Sequence, residues 1–316
     1  MITLSQLSNA RALQKYGSFR RAAEAQHLSQ PAFSRSIQKL ESSLGVLLFD
    51  RQSTGIEPTI YGEALLKRAA KVILETAEIE RETHLLQDVD IGNISIALGF
   101  YAAEIVGWGA IANMVNHYPN LHYQATVRDW YDVEAMVIDR HVDIGFAGIN
   151  HIKEQSQLKI IPVGVHDFVF YCRKGHPLLT LDTLSKSDLD HYPVATVRLP
   201  PQMAYIFPGK TYIDKESGEL SPSINVGDPS AARMIVAASD AIAVATPVQI
   251  EAGLHSGEFE ILNFRAPWMK VDYGFIYRQD RMLAPAATLF MDYIRENEIK
   301  VSQRNHEIIN KWFPND

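Results

Sequence analysis

Gln30, Ser34, Arg35 and Gln38 fall at i, i+4, i+5 and i+8, so a helix through them presents the four side chains together, with Lys39 at the edge. These groups read base edges in a major groove: Arg bidentate to guanine, Gln to adenine, Ser to either. The opposite face holds Phe33, Ile37, Leu40 and Leu44 at i, i+4, i+7 and i+11, an apolar stripe that needs cover. Ser29 suits the N-cap, and Pro31 suits the first turn, where its missing N–H costs little. A plain three-helix bundle with a solvated polar face is the bland alternative. The elements that would hold this helix decide between the two.

Leu4, Leu7, Ala10 and Leu13 form the stripe of a first helix that Gly17 stops. Ser18 opens a short second helix, Phe19 to Gln26, whose Ala22-Ala23 centre lets a neighbour approach closely; His27-Leu28 makes the turn. A short second helix, a tight turn and a capped third helix make a helix-turn-helix. After it, the apolar run Val46-Leu47-Leu48-Phe49 predicts a strand, Asp50 to Gly55 a polar turn and Ile56 to Thr59 the return, which together form a wing. Arg51 at its tip would sit against phosphate or in the minor groove, or pair with Asp50 or Glu57. Charge agrees with a polyanion partner for this end alone. Residues 1–60 carry a net +3, residues 61–90 a net −3 and the remainder a net −7.

From Thr59 to Gly92 there is no proline. Leu65, Ala69, Val72, Thr76, Ile79, Thr83 and Leu86 alternate in steps of four and three, a heptad seam that Thr76 and Thr83 weaken. Such a helix pairs with a second copy of the chain or lies on its own domain. After Gly92 strands and helices alternate, which predicts βαβ units and parallel sheets. One series runs from Ile94 to Phe146 and a second from Phe168 to Leu262. The strand Val271–Tyr277 and helix Pro285–Asn297 then return to the first lobe, through crossovers near Ile161-Pro162 and Arg265-Ala266-Pro267. Residues past Val301 read as a docked tail or helix with no assigned role.

Open α/β sheets take ligands at the carboxyl ends of their strands. The residues there are Phe100, Tyr101 and Ala102, then Arg128, Asp129 and Trp130, then Gly148, faced by Arg198, Asp228 and Thr246. Helix starts at Ala102 and Ser230 would offer N–H groups to an anion, and Arg128 and Arg198 support that reading. Phe100, Tyr101 and Trp130 beside Glu104, Asp129 and Asp228 would equally cage an amine, or the aromatics only pack a hinge.

Several chemistries are missing. The sequence has no dinucleotide-binding glycine fingerprint, P-loop, His-Glu-x-x-His or Gly-x-Ser-x-Gly, so an enzyme is not expected and no cofactor is implied. Its histidines are scattered, and no metal site is expected. Cys172 is the single cysteine, which excludes an internal disulfide, and its mid-strand position predicts an inert buried thiol. With no signal-like start and no long apolar run, the chain reads as cytoplasmic, without a membrane partner.

Residues 17–62, GSFRRAAEAQHLSQPAFSRSIQKLESSLGVLLFDRQSTGIEPTIYG, resemble the winged helix-turn-helix of the LysR-type transcriptional regulators. Phe170 to Leu178 and Val142 to Phe146 resemble phrases of that family's regulatory body. The resemblance implies DNA contacts at Gln30, Pro31, Ser34, Arg35, Gln38 and Arg51, with Ser29 beside them at the helix start. It also implies linker helices that pair antiparallel, so that double-stranded DNA is bound at paired half-sites. The body would be two-lobed, similar to periplasmic solute-binding proteins, with a small effector between the lobes. A homodimer, a homotetramer built as a dimer of dimers and, for an activator, RNA polymerase complete the implied partners. The expected layout is a DNA-binding domain at 1–60, a linker and dimerisation helix at 61–90 and an effector-binding domain at 91–316. In the last, lobe 1 would span 91–161 plus 268–316 and lobe 2 would span 162–267. This sequence departs from the family where a hydroxyl residue usually follows the first body strand: here stand Phe100-Tyr101-Ala102.

Overall fold

Thr3 and Gln6 exchange hydrogen bonds in a capping box that starts α1, Leu4–Tyr16, and Gly17 ends it with a left-handed φ of 59°. The computed structural model describes residues 1–52, 55–85, 92–150, 152, 157–199, 203, 206–209, 211–213 and 220–313. Helices α2, Phe19–Ala25, and α3, Gln30–Leu44, follow, with Ala22 and Ala23 buried between their neighbours. Phe33, Ile37 and Leu40 pack with Leu13, Leu48 and Leu66 in one core. Asn9 Nδ2 donates to Ser36 Oγ at 2.8 Å and ties α1 to α3.

The wing strands are β1, Phe49–Gln52, and β2, Gly55–Pro58, paired antiparallel. The ladder starts later than the apolar run Val46–Phe49 predicts. Glu41 Oε1 accepts the Leu48 N–H at 2.8 Å, which pins Leu48 to the core before pairing begins. Helix α4, Ile60–Leu85, then leaves the wing. A Cβ on Gly62 would lie 2.1 Å from the Leu48 carbonyl oxygen, so only glycine fits there. Along α4, Ala69 is buried while Val72 and Ile79 of the seam are exposed. Thr76 and Thr83 return their hydroxyls to the Val72 and Ile79 carbonyls at 3.0 and 2.7 Å. This satisfies their polarity within the helix. Leu86 lies outside the described residues.

The chain divides into two compact units, Met1–Gln87 and Asp88–Asp316. The second begins with β3, Asn93–Gly99, the helical turn α5, Phe100–Ala102, a π-helical turn over Ala103–Gly107 and α6, Trp108–His117. Next come β4, His122–Arg128, α7, Trp130–Ile138, β5, Ile144–Gly148, and β6, Leu158–Asp167. A second lobe holds β7, Val169–Arg173, α8, Lys186–Leu189, β8, Val194–Thr196, β9, Tyr212–Ile213, β10, Leu220–Ser221, and β11, Ile224–Asn225. It is completed by α9, Pro229–Ala237, β12, Ile242–Ala245, α10, Pro247–Ser256, and β13, Phe259–Ile261. Strand β14, Lys270–Arg278, and α11, Pro285–Trp312, close the chain.

The first sheet has the order β4-β3-β5-β14-β6 and the second β11-β8-β12-β7-β13. In each, parallel strands form one side and antiparallel returns the other. The crossover expected near Ile161-Pro162 is corrected: β6 runs through those residues, and the chain passes between sheets at Phe168. Proline is tolerated because β6 is an edge strand with a register shift opposite Pro162. There Gly274 is obligatory, since a Cβ would meet the Ile161 carbonyl oxygen at 2.4 Å.

The segment past Val301 is not a separate tail but the second half of α11. At about 1.5 Å per residue the helix is roughly 42 Å long, enough to serve both lobes. Asn305 Oδ1 accepts the Val248 N–H of α10 at 2.9 Å, and Ile308 and Phe313 pack into the core of the second lobe. Farther back, Glu298 reaches the first lobe. Its carboxylate meets His166 Nε2 at 2.9 Å and accepts the Tyr273 hydroxyl, while Asn305 meets the other ring nitrogen of His166. All four residues are buried. Burial, followed by the hydrogen bond and charge of Glu298, drives the Tyr273 phenol far above its ordinary pKa. Glu298→Ala would strip this cluster of its acceptor, with an expected loss of about 3 kcal/mol. Calorimetry should then record a thermal midpoint roughly 9 °C lower; an unchanged midpoint would refute the stabilising role.

Candidate functional sites

Each unit carries one candidate surface. On α3, Ser29, Gln30, Pro31, Arg35, Gln38 and Lys39 are exposed and Ser34 is half-buried, opposite the buried Phe33, Ile37 and Leu40. Ser29 occupies the N-cap with extended backbone, yet its side chain makes no capping bond, so the hydroxyl is not tied up there. Arg35 has no ion-pair partner among the described residues. Arg51 lies in β1 opposite Ile56 in register, and its side chain is outside the described residues.

In the body, a cavity of about 400 Å³ opens between the lobes at the carboxyl ends of the strands. Of the sequence-predicted residues, Phe100, Tyr101, Ala102, Trp130, Gly148 and Arg198 line it. Arg128, Asp129, Asp228 and Thr246 do not. Arg128 is exposed and donates to its own neighbour's carbonyl, that of Val127, at 2.7 Å. Asp228 caps α9 by accepting the Ser230 and Ala231 N–H groups at 2.8 and 3.0 Å. The Ser230 hydroxyl, with these N–H groups, holds its carboxyl below the usual range. Thr246 is fully buried and forms a capping box with Gln249.

Of the charged groups that suggested opposite ligand chemistries, Arg198 and Asp129 bind one another across the cleft, and Glu104 is bound there by Arg233. Asp129 caps α7 through the Tyr131 and Asp132 N–H groups and receives Arg198 from the other lobe at 3.1 Å. Glu104 takes a two-pronged bond from Arg233 at 2.9 and 3.1 Å and a third from Gln249 at 2.8 Å. Tyr101 Oη lies 3.1 Å from Thr196 Oγ1, and burial pushes its phenol up to about 12, so it is neutral. Its ring packs edge-on against Phe168 with centroids 4.9 Å apart. These contacts bridge the two sheets and remove the nearby carboxylates from competition for a cation.

What remains in the cavity wall is mostly apolar, with Asn150 and Lys270 the exceptions among the described lining residues. Sequence reasoning missed Phe168 and Trp268 at the two crossovers, Met203 and Phe207 in the irregular stretch after β8, and Lys270, Val271 and Tyr273 on the returning strand. The crossover prolines and glycines could have flagged the first pair; the loop residues carry no periodic signal.

A helix-turn-helix head with an exposed reading helix, joined to a two-lobed α/β body with a cleft, defines a ligand-responsive DNA-binding regulator. Residues 4–63 match the bacterial regulatory helix-turn-helix protein, lysR family, and residues 88–298 match the LysR substrate binding domain. The chain belongs to the LysR family of transcriptional regulators. It is similar to the SDS degradation transcriptional activation protein of a Pseudomonas species, 28% identical over 310 residues, covering 95% of this chain and 98% of that one. Among solved structures, a full-length OxyR variant from Pseudomonas aeruginosa aligns with a TM-score of 0.62 at 18% identity, covering 93% and 95% of the two chains. CbnR in complex with its target DNA aligns with a TM-score of 0.57 at 20% identity, covering 93% and 99%.

The chain is thus a sequence-specific DNA-binding regulator with effector-binding C-terminal lobes, in a family of non-catalytic proteins that bind DNA and effectors and oligomerise. Among the described residues no helix is long and apolar enough to cross a membrane, and no cluster of metal-binding side chains occurs. Cys172 is fully buried in β7, and burial pushes its thiol up to about 12. With so little thiolate, the native protein should be silent to a disulfide reagent at pH 8 and release one equivalent only on unfolding. Rapid native labelling would contradict the inert assignment.

Proposed function

We propose that α3 of two copies enters successive major grooves, with Gln30, Ser34, Arg35 and Gln38 toward base edges and Ser29, Pro31 and Arg51 toward the phosphate backbone. The observation that carries this reading is the exposure of that polar face, opposite a buried stripe, in a head of net positive charge. On this reading residues 1–60 bind DNA, 61–90 dimerise through the exposed part of the α4 seam, and 91–316 sense the effector. The assembly is a homotetramer on paired half-sites, acting in the cytoplasm, where its DNA is. The full-length relative is named a transcriptional activation protein; on that likeness this chain activates transcription with RNA polymerase as a further partner.

The effector sits between the lobes against Phe100, Tyr101, Ala102, Trp130, Gly148 and Arg198. Arg128, Asp129, Asp228 and Thr246 support the cleft from outside its wall. Because the wall is dominated by aromatic and aliphatic side chains, the effector has a substantial apolar body. The SDS degradation named for the relative concerns a compound of that kind.

Fluorescence anisotropy on the protein's own upstream DNA and on a scrambled duplex tests the DNA reading. Arg35→Ala should lower affinity for the true site by about tenfold or more while leaving scrambled DNA within about threefold. An equal loss on both duplexes would demote Arg35 to a phosphate contact. Equal wild-type affinity for both would replace regulation with architectural binding by a ligand-blind body.

A further inference from the structure

We infer that the effector is an amphipathic monoanion, an apolar chain or ring with one acidic head, and that Lys270 at the cavity rim holds the head. This deepens the inter-lobe reading above and rests on it. The charges at the cleft support the assignment. Asp129 and Glu104 are satisfied by Arg198 and by Arg233 with Gln249, and Asp272 accepts Asn150 Nδ2 at 2.8 Å. An entering cation would therefore have to break an ion pair or compete with a hydrogen bond. Lys270 differs. It lines the cavity, is exposed, and has no carboxylate within 4.0 Å among the described residues. Asp167 stands opposite it in the β6–β14 register, but its carboxylate faces Arg265 at 3.6 Å. The rim thus carries one cation not taken by an internal ion pair.

The other end of the cavity cannot take the head. Tyr101 is the hydroxyl residue at the start of α5, and it is committed to Thr196. The side chains of Phe100, Ala102 and Ile105 offer only carbon, as do those of Val197, Leu199 and Val244 across the cleft, and the guanidinium of Arg198 between them is already paired with Asp129. An acidic group buried there would lose its hydration with no charge to replace it. The apolar body fills this end, and the head stays half-solvated beside Lys270.

The test titrates the full-length protein with decanoate, decyl sulfate, 1-decanol and decyltrimethylammonium, all below micelle formation. Intrinsic fluorescence is the readout, since Trp130 and Trp268 line the cavity. Both anions should bind about tenfold more tightly than the alcohol, and Lys270→Gln should bring them down to the alcohol's affinity. Gly148→Leu grows a side chain where a Cβ has only ordinary contacts, 3.5 Å from Val271 Cγ2, and should fill the cavity and weaken every ligand. Circular dichroism checks its fold, with Val244→Trp as the second filling variant.

Alcohol binding equal to that of the anions, tightest binding of the ammonium compound, or an indifferent Lys270→Gln overturns the head assignment while sparing the apolar cleft. No binding by any of the four, or binding that survives both filling variants, overturns the cleft reading as well.

Discussion

The body depends on one buried polar knot, in which Tyr273, His166 and Asn305 converge directly or through His166 on the Glu298 carboxylate. Placing a carboxylate in a protein interior is unfavourable unless its oxygens are satisfied, so the four residues must be held together or the site fails together. Each comes from a different duty. His166 lies two residues before the crossover at Phe168, Tyr273 walls the cleft from the returning strand, and Glu298 and Asn305 sit on the helix that serves both lobes. The knot therefore fixes the geometry of the hinge, the cleft wall and α11 at once. A ligand that moves Tyr273 works against hydrogen bonds that also position the second lobe through Asn305 and Val248.

The cleft shows the same economy in its charges. The ion pairs Asp129–Arg198 and Glu104–Arg233 cross from lobe to lobe at the cleft, and no partner in them is fully exposed. Arg198 lies over the Tyr131 ring as well, which orients it toward Asp129. Partly desolvated pairs of this kind hold lobes in register more than they add stability, because desolvation offsets much of their attraction. Their pairing also removes both signs of charge from the inner wall. An apolar interior and the rim lysine, Lys270, are what is left, and on the inference above that subtraction leaves Lys270 to set the sign of the ligand's head.

The three helices of the head were legible because their signals are local, whereas the Thr3 cap of α1 and the start of the wing ladder were not. Helix stops and heptad steps are physical constraints acting within one or two helical turns, and Gly17 ends α1 in the left-handed conformation its signal requires, as does Gly45 for α3, a stop the sequence reading did not single out. The strands β3, β4 and β5 were legible for a similar reason: their apolar runs are bounded by turns. Strand β6 was not, since it lies at an edge, shows no regular alternation in burial and contains Pro162, which reads as a break. The cleft was half legible. Strand ends located Phe100, Trp130 and Arg198, but a sequence does not say that Arg198 will spend its charge on Asp129, 69 positions away. Met203 and Phe207 come from a loop without periodicity, and tertiary packing alone brings them to the wall.

The two units also divide the electrostatic work. The acids that give the chain its net charge of −7 lie beyond residue 60, so DNA attracts the head and repels the rest. That asymmetry keeps a body rich in carboxylates off the duplex and leaves the helix α3 face as the attractive surface. Within the linker the logic changes from charge to cover. Ala69 is already buried, whereas Val72 and Ile79 are exposed. A helix whose threonines have turned their hydroxyls inward, beside two exposed aliphatic residues, presents the kind of surface that the pairing proposed above would cover. Pairing there would double the reading surface, and two half-sites read together discriminate far better than one, because their free energies add while the cost of association is met once.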